Sequence, residues 1–155
     1  MRKTINNRGV TLIELVITLA IITIISGVVI MSIGSNDRRV LNNTALALQA
    51  DLQYTQRRAM QEGQPVGVQF SVAENVYRIR SGNIPVTEEI RTMPEGVRLR
   101  SVSGTGYNLM FHPRGTPSAA TTIVLSKGLY TQEITVIPSG GRVRVYEPIR
   151  DTRYQ

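Results

Sequence analysis

The hydropathy pattern along the chain changes twice. From Val10 to Ile33 the sequence VTLIELVITLAIITIISGVVIMSI is apolar on every side and holds one charge, Glu14, in 24 residues. As a helix this run would measure about 36 Å, enough to cross a bilayer. It is also too uniformly apolar to serve as the core helix of a small domain. The segment Gly34 to Arg39 (GSNDRR) then reads either as an interfacial break or as the polar surface of a continuing helix, with Asn36 or Asp37 as an N-cap if the helix restarts. Beyond it Leu41, Ala45, Leu48, Leu52 and Ala59 recur at spacings of four, three, four and seven, with polar residues between them. That spacing predicts an amphipathic helix running to about Glu62 and ended by Gly63 and Pro65.

From Val66 onward the period falls to two. Val66, Val68 and Phe70 alternate with their neighbours, as do Tyr77 with Ile79, Val97 with Leu99, Leu109 with Phe111 and Ile134 with Val136. TTIVLS from Thr121 to Ser126 reads as a more buried strand. Turn residues fall at Ser81 to Asn83, Pro94 to Gly96, Ser103 to Gly106, Pro113 to Pro117 and Pro138 to Gly141. A long helix followed by six or seven short strands predicts an α+β fold, with antiparallel sheet packed on the apolar stripe of the helix. The organisation read from this pattern is a leader at 1–9, a membrane and assembly helix at 10–33, an amphipathic helix at 34–63, a β-rich head at 64–146 and a charged tail at 147–155.

Composition narrows the chemistry. With 155 residues, two Phe, six Tyr and no Trp, the head must be built mainly from Val, Ile and Leu, which favours strands over a large aromatic-lined pocket. The absence of cysteine excludes disulfides, thiolate metal sites and cysteine nucleophiles, and leaves the redox compartment open. His112 is the single histidine, so no multi-histidine metal site exists; beside Pro113 at a strand end it reads as a surface or turn residue. No nucleophile elbow, phosphate loop, metal-ligand cluster or paired-acid motif is present, so neither catalytic residues nor a cofactor are expected.

Charge adds direction. Arg2, Lys3 and Arg8 precede the apolar run, which places the N-terminus in the cytoplasm and the residues after about Gly34 on the far side of the membrane. No small-residue cleavage pattern follows the run, between Gly27 and Asn36, so an ordinary secretory signal is disfavoured. The informative feature lies before it. RGVTLIELV, Arg8 to Val16, resembles the class III signal of type IV pilins and type II secretion pseudopilins of the bacterial inner membrane. The resemblance implies a prepilin peptidase cut between Gly9 and Val10, N-methylation of Val10 and retention of the helix, although Val10 stands where phenylalanine is most common. Removing the leader would lower the net charge from +7 to +4. Glu14 is costly in hydrocarbon unless it is paired, used or snorkelled to the near interface. A free α-amine at Val10 is one acceptable partner, and the family implies that a neighbouring subunit presents it, so that the salt bridge sets axial register during assembly.

In the head, RRAMQEGQPVGVQF (Arg57 to Phe70), FHPRGTPS (Phe111 to Ser118) and ITVIPSGGRVRVY (Ile134 to Tyr146) look like the H-type minor pseudopilins and T-type minor pilins, which share one domain family. The resemblance implies other pilins or pseudopilins as partners, and either a structural role in a secretion pseudopilus or non-specific DNA binding by a minor pilin. For the second role the candidates are Arg142 and Arg144 of GRVR, which resembles the glycine and arginine motif of DNA-binding T-type pilins. Two residues apart on an extended segment, they would share one face while Val143 and Val145 face the core. Arg78 with Arg80 and Arg98 with Arg100 repeat this spacing, so the three pairs form either a basic stripe or solvated strand faces. Arg57 and Arg58, near a helix C-terminus, read as complementing its dipole.

Overall fold

The computed structural model describes residues 11–81, 88–104 and 107–151, and for residues 26–35 the backbone alone. Helix α1 spans Leu12–Glu62 and includes Gly34 to Asp37. The chain divides into two compact units, Met1–Ser35 and Asn36–Gln155.

In the first unit the described side chains of residues 11–25 are all exposed. Thr11 caps the helix: its hydroxyl accepts a hydrogen bond from the Glu14 amide at 3.4 Å, and its carbonyl accepts one from the Leu15 amide at 3.2 Å. Thr11 and Glu14 thus stand three apart, in the spacing of a capping box. The two threonines farther along turn their hydroxyls onto the helix itself, Thr18 to the Leu15 carbonyl at 2.8 Å and Thr23 to the Ala20 carbonyl at 2.8 Å. Such local bonds hide polar groups from the surroundings, so among the described side chains of residues 11–25 Glu14 supplies the one ionisable group. Among the described residues no helix is long and apolar enough to cross a membrane. The expected span starts at Val10, outside those residues, and ends in residues 26–33, whose side chains are also outside them.

In the second unit, Leu41, Ala45, Leu48, Leu52 and Ala59 are all at most 1% exposed, the stripe that the 3.6-residue period requires. Gly63 ends the helix with φ +64°, a conformation that carries no Cβ penalty for glycine. Among the described residues nine strands follow: β1 (Val66–Ser71), β2 (Val76–Ser81), β3 (Glu88–Thr92), β4 (Arg98–Ser103), β5 (Asn108–Phe111), β6 (Thr121–Lys127), β7 (Tyr130–Val136), β8 (Val143–Val145) and β9 (Ile149–Arg150). They form two antiparallel sheets rather than one. The first has the order β3-β2-β1-β5 and the second β4-β6-β7-β8, with β9 also on β7. Both sheets and the helix stripe contribute to one apolar cluster.

Asn75 joins the two sheets. At φ +58° in the β1–β2 turn, its amide nitrogen donates to the Val97 carbonyl at 2.8 Å, and its oxygen accepts from the Leu99 amide at 2.8 Å. The side chain thereby stands in for a strand at the start of β4.

Strands β3 and β9 depart from the sequence pattern. β3 is charged and largely exposed, yet Arg80 and Glu88 are register partners in the β2–β3 ladder and pair at 3.2 Å. β9 lies within the segment expected to be a charged tail, and pairs Ile149 with Thr131 and Arg150 with Tyr130. The turn expected at Ser81 to Asn83 falls largely outside the described residues, as do Thr105 and Gly106 of the turn at Ser103 to Gly106.

Candidate functional site

Among the described residues, two places hold the candidate site residues. The first is the start of α1. Gly9 and Val10 lie outside the described residues, while Glu14 lies in the first turn of the helix, exposed. A carboxylate there complements the positive end of the helix dipole. The TLIE sequence carries this signal as a capping box, in addition to its place in the apolar run.

The second place is a cleft of about 360 Å³ between the last turns of α1 and the segment leading into β8. Arg57, Arg142 and Arg144 line it, and all three are exposed. As the alternation requires, Val143 between the last two is buried and Val145 packs partly against the core. The cleft wall is held from the helix side. Gln49 donates to the Val143 carbonyl at 3.0 Å. The Gln56 amide nitrogen donates to the Gly115 carbonyl at 2.7 Å and the Gly140 carbonyl at 3.1 Å. The FHPRGTPS and GGRVR segments are therefore fastened to each other through one glutamine.

The tight packing explains the second glycine of the turn. Gly141 has φ +65°, and a Cβ there would stand 2.6 Å from the Gly115 carbonyl oxygen and against the Gln56 amide. Gly140, with φ +78°, has open space around the same position. Across the base of the turn the Ile137 amide donates to the Arg142 carbonyl at 2.9 Å.

The other arginine pairs do not extend the cleft into a stripe. Arg78 and Arg80 lie on β2 of the first sheet, paired with Glu74 and Glu88. Arg98 and Arg100 lie on β4, separated from β8 by β6 and β7. Arg91 faces Glu89 and Asp51 at 3.0 and 3.5 Å.

Arg57 and Arg58, adjacent in sequence, have separate roles. Arg58 bonds Glu62 at 2.6 Å, with Glu89 at 3.6 Å. That bond, with a second from the Ser81 hydroxyl at 2.7 Å, holds the Glu62 carboxyl below the usual glutamate range. Arg57 has no acidic partner among the described residues and lines the cleft, and neither arginine falls in the last turn of α1, where a charge would act most strongly on the helix dipole. His112 is exposed just beyond β5, its backbone amide bonded to the Thr116 carbonyl at 2.9 Å.

A helix with an exposed apolar first segment, an amphipathic second segment and an antiparallel head built on that second segment defines a type IV pilin-like subunit. Residues 44–141 match the family model of the type II transport protein GspH, and residues 5–34 match that of the prokaryotic N-terminal methylation motif. The first match covers more than half of the chain, which belongs to the GspH family of minor pseudopilins. No curated protein matches the sequence. Among solved structures, the minor pseudopilin EpsH from the type II secretion system of Vibrio cholerae is similar at 15% identity and a TM-score of 0.60, covering 74% of this chain and 98% of that one. A second EpsH structure gives a TM-score of 0.58 at 15% identity, covering 69% and 96%. The type IV minor pilin FimU of Pseudomonas aeruginosa gives 0.56 at 17% identity, covering 70% and 90%. At these identities the structural likeness is a likeness of fold.

Proposed function

We propose that the chain is a structural minor pseudopilin of a type II secretion system, anchored in the bacterial inner membrane by its N-terminal helix with the head on the extracytoplasmic side. Prepilin peptidase cuts it between Gly9 and Val10, Val10 is N-methylated, and the helix carries the subunit into a filament with other pseudopilins. The observation that carries this reading is the surface of the helix in front of a GspH-family head: the described side chains are exposed, the two internal threonines are bonded to the helix's own carbonyls, and Glu14 is the one charge. In lipid such a surface is stable except at Glu14. An α-amine on a neighbouring subunit would neutralise that carboxylate at the moment of assembly. The match to the N-terminal methylation motif over residues 5–34 supports the same processing.

Intact mass and N-terminal sequencing of the chain recovered from membranes containing a prepilin peptidase test the proposal. The expected product begins at Val10 and carries one methyl group. A product beginning beyond Ile33, with the apolar helix lost, would overturn it.

A second reading is favoured by one observation: Arg142 and Arg144 are exposed beside Arg57, with no acidic partner among the described residues. In this reading the chain is a minor pilin whose head binds DNA without sequence preference, through contacts to phosphates. Gel retardation at low salt that disappears in the Arg142→Ala, Arg144→Ala double variant supports it, and no retardation refutes it. Genes for pilus or competence functions beside this one would favour this reading, and secretion genes the first.

A further inference from the structure

Three contacts fix one end of the head beside the first residues of α1 in the second unit. Lys127, at the end of β6, stands 3.7 Å from the Asp37 carboxylate, and its ammonium donates to the Glu95 carbonyl at 2.9 Å. A Cβ at the neighbouring Gly128 would stand 2.6 Å from the same carboxylate. Arg38 pairs at 3.2 Å with Glu147, in the segment between β8 and β9. Asp37 follows Ile33, the expected end of the membrane span, by four residues, and four residues reach at most about 14 Å. That bound holds whatever the orientation of the two units.

The same end exposes aliphatic side chains that the core does not use. Ile149 of β9 is 62% exposed and Leu129 of the β6–β7 turn 40%. Pairing holds them together, since Ile149 lies opposite Thr131 and the Asp151 amide donates to the Leu129 carbonyl at 2.8 Å. Arg150, next to Ile149, and Arg39, two residues beyond Asp37, are exposed and have no acidic partner among the described residues. Of the acids nearby, Asp37 and Glu147 are paired with Lys127 and Arg38, Asp151 is buried, and Glu95 is exposed. Aliphatic tips beside free guanidiniums suit the headgroup layer of a bilayer, where apolar groups sink to the acyl boundary and cations meet anionic lipid.

We propose that this end of the head is a docking surface for anionic phospholipid, with Leu129 and Ile149 entering the headgroup layer and Arg39 and Arg150 meeting phosphates. The proposal rests on the membrane-anchored reading above and adds a second attachment, in the head. The short tether favours a bilayer over a partner protein: with the span inserted, the chain itself keeps this surface close to the headgroups and so sets a high effective concentration of lipid. Docking holds down the head of an unassembled subunit, and incorporation into a filament must release it.

Because the chain contains no cysteine, a single spin label reports the contact. Leu129→Cys, or Ser139→Cys in the exposed turn held by Gln56, carries the label in the full-length chain, reconstituted into vesicles of phosphatidylcholine with or without phosphatidylglycerol. With phosphatidylglycerol, the label at 129 should be more accessible to oxygen dissolved in lipid than to an aqueous nickel chelate, and the label at 139 the reverse. Arg150→Ala should lower the ratio of docked to free heads about fivefold, equivalent to about 1 kcal/mol for one arginine at an anionic surface. Arg114→Ala, the same loss of charge in the exposed loop that Gln56 also holds, should leave the ratio unchanged. Ile149→Glu should abolish docking, with circular dichroism confirming that the head stays folded.

Each outcome decides. Release of the unaltered chain from the vesicles by alkaline carbonate refutes the anchored reading, and the inference with it. A chain that stays inserted while its label at 129 is as open to water as that at 139 refutes the inference alone. Shielding at 129 that is equal in phosphatidylcholine alone, or that grows with the ratio of protein to lipid and so assigns the surface to a second subunit, overturns the proposal.

Discussion

Alanine at Gly141 should detach the arginine turn from the helix, while alanine at Gly140 should leave it in place. Both glycines have positive φ, +78° at Gly140 and +65° at Gly141. In each case an alanine pays about 1–2 kcal/mol for the left-handed conformation, partly offset by about 0.4–1 kcal/mol from a less flexible unfolded chain. For Gly140 nothing else changes, because no atom lies within 4 Å of the new methyl position. The net loss is about 1 kcal/mol. At Gly141 the methyl meets the Gly115 carbonyl oxygen at 2.6 Å and the Gln56 amide. The glutamine tip can swing away, but it then gives up its bonds to the Gly115 and Gly140 carbonyls. Those two bonds contribute about 0.5–1.5 kcal/mol each, and the Gly115 carbonyl must shift as well. The total for Gly141→Ala is therefore about 3 kcal/mol, roughly 2 kcal/mol more than for its neighbour.

Urea titration of the full-length chain in nonionic detergent, followed by far-ultraviolet circular dichroism of the head, measures that difference. Hydrogen exchange at Ile137, whose amide bonds the Arg142 carbonyl, reports separately on the turn and should accelerate in Gly141→Ala alone. In a Gln56→Ala background the gap between the two alanine variants should largely close, by about 1–2 kcal/mol, because the two bonds that make most of it are already absent. Equal losses for the two variants, with unchanged exchange at Ile137, would refute the account of how the cleft is built.

Three further expectations concern other parts of the molecule. Glu14→Leu should leave cleavage and membrane insertion intact and abolish incorporation into filaments, read by fractionation of assembled from membrane-bound chain; normal incorporation would remove Glu14 from the assembly mechanism. Tyr77 donates to Asp51 at 2.6 Å, and burial, followed by that bond, pushes its phenol far above the usual tyrosine range; its folded value exceeds its unfolded one, so its stabilisation is complete below about pH 10 and lost as pH rises above it, and Tyr77→Phe should flatten the alkaline limb of the stability profile. Asn75→Gly keeps the positive φ but removes both side-chain bonds to the start of β4, and denaturation should show a loss of about 1–3 kcal/mol.

How much of this was legible in the sequence depends on how local the cause is. The helix stripe from Leu41 to Ala59 and the stop at Gly63 follow from spacing and from one glycine, and the structure has them where the pattern put them. Strands with alternating apolar residues were equally visible. β3 was not, because Glu88–Thr92 is held by ladder bonds and by acid–base pairs with β2, whose partners are apparent only once the register is known. Nor was β9, where two residues are too few to show a period. The joint between the two sheets depends on the Asn75 side chain reaching Val97 and Leu99, more than 20 residues away in sequence. Of the site, Arg142 and Arg144 could be marked by their spacing. Arg57 could not, since its membership depends on where Gln56 anchors a loop 59 residues distant.

The assembly reading and the phosphate reading place their chemistry in different units of the chain. Glu14 belongs to the first unit, Met1–Ser35, whereas Arg57, Arg142 and Arg144 belong to the second. The same helix surface serves a secretion filament or a DNA-binding pilus, because lipid and neighbouring helices impose the same demand in both: apolar side chains with every polar group paired. The head, in contrast, pairs Arg78, Arg80 and Arg91 of the first sheet with carboxylates, while Arg57, Arg142 and Arg144 line one cleft. The two functions are therefore separable by mutation. A Glu14→Leu chain should lose filament incorporation and keep its salt-dependent affinity for DNA, and a chain with Arg142 and Arg144 replaced should do the reverse. If both properties disappeared together in either variant, with the head still folded, the division of labour between the two units would be wrong.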